Sequence, residues 1–71
     1  MIKQVEDGTN VAQVLLELGF TQEADGIHWV FRGERGESRL AIGPLEGLLR
    51  ESGSRRLRLY VRQERDRCLE K

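Results

Sequence analysis

Cysteine is almost missing from this chain of 71 residues, where Cys68 stands alone. No internal disulfide can brace so small a domain. With His28 as the sole histidine, a structural zinc site of the usual cysteine and histidine kind lacks its four ligands. Aromatic residues are scarce too: one Trp, one Tyr and two Phe leave little to build a base-stacking platform. Proline occurs once, as Pro44, and no proline-rich linker divides the chain. No apolar run approaches a membrane span or a signal peptide, so a cytoplasmic location with no membrane partner is expected. An excess of one charge is absent as well. Lys plus Arg number 12 and Asp plus Glu number 12, for a formal net charge of +0. Bulk attraction to nucleic acid or anionic lipid is thereby excluded, and any such affinity must come from local segregation of charge.

What is present suits one small folded domain. Hydrophobic residues make up 38% and charged residues 34%. That composition supports a single thin core. A core of this size leaves a stability margin of only ~3–5 kcal/mol. The basic residues are nearly all arginine, whose planar fork suits bidentate contacts with carboxylate or phosphate.

The spacing predicts six elements. Ile2 and Val5 mark a first strand over Met1 to Glu6. Asp7-Gly8 turns the chain, and Thr9 or Asn10 caps a helix with Gln13 in the capping-box position. Val11, Val14, Leu15 and Leu18 form its apolar stripe. Gly19 ends it in a left-handed conformation, and Phe20 folds back on Leu15. Thr21 to Gly26 reads as a connection. Ile27, Trp29 and Phe31 alternate with His28, Val30 and Arg32 in a second strand. Gly33-Glu34-Arg35-Gly36 closes a hairpin, and Arg39 to Ile42 returns with Leu40 and Ile42 inward. Pro44 opens a short helix lined by Leu45, Leu48 and Leu49, which Gly53 ends. Gly47 within it costs ~1 kcal/mol relative to alanine. A last strand is expected from about Arg55 to Gln63, because Leu57, Leu59 and Val61 recur at every second position.

This order, β-α-β-β-α-β, predicts an α+β two-layer sandwich that resembles a compact ferredoxin-like fold. The alternative is a dsRBD-like α-β-β-β-α arrangement with an extra N-terminal strand. Residues 1–63 form the single domain, and 64–71 form a charged tail that is solvated or frayed.

With that parity, His28, Arg32, Arg39, Arg56, Arg58, Tyr60 and Arg62 share the sheet face opposite the helices. The acids lie in turns and on helices instead, which gives one basic face and an acidic rim. These seven residues are the candidate partner-binding set. The expected function is a small non-enzymatic interaction or regulatory module without cofactor or metal. It would bind an acidic protein surface, or a second copy of itself, through this face or the edge of the last strand. Arginine and tyrosine are both enriched where interfaces carry their energy. The alternative partner is nucleic acid, held through phosphate contacts. Base stacking is disfavoured, since the two central strands would offer Lys3 and Arg39 and no aromatic residue.

The run Gly26-Ile27-His28-Trp29-Val30-Phe31, after a helix closed by Gly19-Phe20, resembles the HicA-type toxins. Their dsRBD-like fold carries a Gly-Ser-His-x-x-Phe-like strand. Ile27 stands where that family prefers serine. The resemblance implies an RNA-cleaving role for His28, with the arginine-rich segment holding the RNA. Without it, His28 is a lone histidine on an open strand face, Cys68 lacks a base and a pocket, and Ser38, Ser52 and Ser54 are turn and cap residues.

Overall fold

The computed structural model of the protein describes residues 8–69. The expected strand over Met1 to Glu6 lies outside them. Among the described residues the order is α1 (Val11–Glu17), β1 (Thr21–Gln22), β2 (His28–Gly33), β3 (Gly36–Ala41) and α2 (Ile42–Asp66). The three strands form one antiparallel sheet in the order β1-β2-β3. The protein is therefore a small α+β domain, and among the described residues α-β-β-β-α stands where α-β-β-α-β was expected.

Local chemistry explains α1. The Asn10 side-chain Oδ1 accepts the Gln13 backbone N–H at 2.9 Å, which satisfies one exposed donor at the helix start. Val11, Val14 and Leu15 are fully buried. Gly19 adopts φ 93°, and the Phe20 N–H donates back to the Leu15 carbonyl at 2.9 Å. Phe20 is then delivered to the core, with its ring 5.7 Å from that of Phe31.

The hairpin pairs Gly33 with Gly36 and leaves Glu34 and Arg35 as its turn. Trp29 sits opposite Leu40, and Phe31 opposite Ser38, so these side chains share the helix-facing side. Trp29 and Leu40 are buried, and Phe31 packs against the same cluster. Ile27 departs from the expected parity: it precedes β2 and is 52% exposed. Ile42 opens α2 rather than closing a strand. The two-residue β1 falls where a connection was expected, because Thr21-Gln22 carries no hydrophobic alternation to reveal it.

The largest correction concerns Arg55 to Gln63, which is helical. α2 bends at Gly53, where φ 87° and ψ 172° interrupt the helix. Before the bend Leu45 and Leu49 are buried, and after it Leu57 and Val61 are buried. Each pair is spaced i, i+4, so each limb turns one stripe toward the shared core. Leu59 does not join Leu57 and Val61 inside but is 47% exposed. Leu57 and Val61 fit both a strand's alternation and a helix's i, i+4 spacing, whereas Leu59 fits only the first. Composition decides between them. Arginine, leucine, glutamine and glutamate dominate 54–66 and favour helix, and Val61 is the segment's one β-branched residue.

Glu64 to Asp66 continue α2, and Cys68 is 5% exposed. The Cys68 carbonyl accepts the Arg35 N–H at 2.8 Å, which ties the helix end to the hairpin turn. Gly33 permits this approach: a Cβ there would lie 2.5 Å from the Cys68 carbonyl oxygen.

Candidate functional site

Winding the arginine-rich segment into a helix redistributes the seven candidate residues. Arg56, Arg58 and Arg62 remain neighbours, joined by Arg55, Leu59 and Ser52 around an open groove of about 760 Å³. Arg55, Arg58, Leu59 and Arg62 succeed one another at i, i+3, i+4 and i+7, the spacing of one helix face. No acid occurs between Glu51 and Glu64 to neutralise it. Arg58 alone among these arginines is ion-paired within the described residues. Its guanidinium donates to Glu17 Oε1 on α1 at 3.1 Å. Arg55, Arg56 and Arg62 are exposed.

Tyr60 lies apart from this groove. It lines a smaller cleft of about 290 Å³ together with Arg39, Leu40, Pro44, Leu45 and Leu48.

His28, Arg32 and Arg39 do share the sheet face opposite the core, through the register pairs His28–Ala41, Arg32–Glu37 and Val30–Arg39. That face is not a cationic platform, because each group meets an acid. Arg32 Nε donates to Glu37 Oε1 at 3.2 Å. Arg39 Nε donates to Glu23 Oε1 at 2.7 Å, which holds its guanidinium more firmly in the charged form. The single basic sheet face expected from the sequence is thus replaced by a neutralised sheet face and a separate arginine face on α2.

His28 has a partner the sequence reading left open. Asp25 Oδ1 accepts the backbone N–H groups of Ile27 at 2.8 Å and His28 at 3.0 Å. These bonds aim Oδ2 at His28 Nδ1, 2.7 Å away. A carboxylate only accepts, so Nδ1 carries the shared proton and Nε2 of the neutral ring is left as an acceptor. The His28 backbone bond, the His28 ring and the Ile27 N–H hold the Asp25 carboxyl well below its ordinary range. The lowered value favours the folded loop above the ordinary carboxylate pKa. That contribution fades as pH falls below it.

Glu23, Asp25 and His28 bring one potential metal-ligand atom each within 4.8 Å of one another. Arg39 already supplies the positive charge there, bonded to Glu23 and 3.8 Å from Asp25 Oδ2. The Arg39–Glu23 bond fastens the β1–β2 loop to β3.

No protein-family model, curated protein or solved structure matches the chain. The side chains themselves set the chemistry the arrangement can perform. The arginine face offers planar donors, of which Arg58 alone is ion-paired among the described residues, beside one exposed leucine. The sheet face offers one oriented imidazole. Sequence reasoning left Arg55 and Glu17 out of the site and the pairing of Asp25 with His28 undecided. Arg55 was legible in the helical period it shares with Arg58 and Arg62. The spacing Asp25-x-x-His28 around Gly26 was legible as a turn that returns a carboxylate to the ring.

Proposed function

We propose that the protein is a non-enzymatic interaction module that binds an acidic protein partner through the arginine face of α2. The observation that carries this reading is the acid-free segment 52–62, wound so that Arg55, Arg56, Arg58 and Arg62 line one groove with Leu59. Guanidinium groups pair with carboxylates in bidentate fashion. The exposed leucine favours a polypeptide over a phosphate backbone, since an apolar anchor beside arginines is a common interface core. The chain's zero net charge and the acids of the β1–β2 loop also weigh against a long polyanion.

The double variant Arg55→Glu, Arg62→Glu tests this. Both side chains are exposed, so the circular dichroism spectrum should be unchanged. Affinity for a labelled glutamate-rich peptide should fall at least about tenfold, as expected for lost charge-assisted contacts. Unchanged affinity in the folded variant contradicts the reading. So does steeply salt-dependent binding of an RNA duplex with none of the peptide.

The Asp25–His28 contact favours a second reading, RNA cleavage of the kind the HicA-type resemblance implies. An imidazole oriented by a carboxylate is suited to general base work. It would take the proton of a ribose 2′-hydroxyl as that oxygen attacks the adjacent phosphorus and the 5′-oxygen leaves. Under this reading the chain cuts single-stranded RNA, and His28→Ala abolishes the fragments. RNA left intact by the unaltered chain removes it.

A further inference from the structure

We infer that the occupant of the arginine groove is an amphipathic acidic helix, lying along the limb of α2 beyond Gly53. It would set carboxylates against Arg55, Arg58 and Arg62 and an apolar side chain against Leu59. The inference rests on the acidic-partner reading and narrows it.

The three arginines succeed one another by three and then four residues, along about 10 Å of helix. A second helix repeats its side chains at the same rise, so acids at i, i+3 and i+7 meet them in step. An extended chain advances ~3.3 Å per residue and alternates sides, so its carboxylates pass the guanidinium groups out of step. Leu59 lies between the arginines and is 47% exposed. A leucine or isoleucine one turn along the same partner face covers it, the pattern by which amphipathic helices occupy grooves.

Arg58 shows the chemistry in miniature. The carboxylate it holds comes from a neighbouring helix, through Glu17 Oε1 at 3.1 Å. Only its Nη2 is engaged, and its Nε and Nη1 have no partner among the described residues. They remain for a second carboxylate from the groove side.

Two synthetic peptides of identical composition decide the matter with the full chain. One carries glutamates at i, i+3 and i+7 and leucine at i+4 on a single helical face. The other has the same residues scattered around the helix. The first should bind at least about tenfold more tightly, a difference of ~1.4 kcal/mol. It should lose most of that advantage against Leu59→Ser, while the scattered peptide is unaffected. Equal binding of the two peptides overturns this inference and leaves the acidic-partner reading standing. Binding of neither overturns both.

Discussion

Leu57→Ala should destabilise the protein by ~2–5 kcal/mol, whereas Leu59→Ala should change stability by no more than about 0.5 kcal/mol. Leu57 is fully buried in the cluster that joins α1, the sheet and both limbs of α2. Removing its branched end strips contacts from a close-packed site and leaves a cavity the backbone cannot fully close. Leu59 is 47% exposed on the arginine face and loses little when shortened. Domains of this size hold a margin of ~3–5 kcal/mol, so the Leu57 variant should be substantially unfolded without ligand. Urea denaturation at constant slope reads both values. Equal losses at the two positions would restore the period-two reading, in which both leucines face inward.

Two glycines in α2 should respond to alanine with opposite signs. Gly53 has φ 87° and ψ 172°, a region that residues with a Cβ avoid, and its substitution should cost ~1–3 kcal/mol. No atom lies within 4 Å of the added Cβ, so the cost is backbone strain alone. If the chain escapes that strain by straightening, the two limbs can no longer both reach the core. Gly47 lies in the helix before the bend, where an added Cβ meets only the flexible end of Arg50 at 3.9 Å. Gly47→Ala should therefore stabilise the protein by about 0.5–1 kcal/mol, because the unfolded chain loses freedom and the helix loses nothing. Thermal melts of the two variants should move in opposite directions. A neutral Gly53→Ala would mean that the bend is not held by this residue.

These glycines also show where sequence was sufficient. A terminator such as Gly53 or Gly19 acts locally and was legible as a stop. Asn10, the stripe from Val11 to Leu18 and the Gly33–Gly36 hairpin were legible for the same reason. The conformation beyond a stop is not decided locally. Leu57 and Val61 fit a strand and a helix alike; composition favours the helix, and the core already holding Leu45 and Leu49 takes Leu57 and Val61 and leaves Leu59 outside. β1 was illegible because its two polar residues are strand only by pairing with Trp29 and Val30. The shared face of His28, Arg32 and Arg39 was legible in the alternation of β2 and β3. Their neutralisation was not, since Glu23 reaches Arg39 from 16 residues away. The arginine cluster survives in altered form, because residues near in sequence stay near in space on a helix as on a strand. Its membership changes with the period, so Arg55 enters and Tyr60 leaves.

The most direct measurement is the set of backbone carbon chemical shifts across residues 54–66 in solution. Arg55, Arg58 and Arg62 share a face only if this segment is helical. An unbroken run of helical Cα shifts from Arg55 to Asp66, interrupted upstream at Gly53, is the expected result. Extended shifts over Arg55 to Gln63, with cross-strand contacts to the sheet, would dissolve the groove and contradict the function built on it.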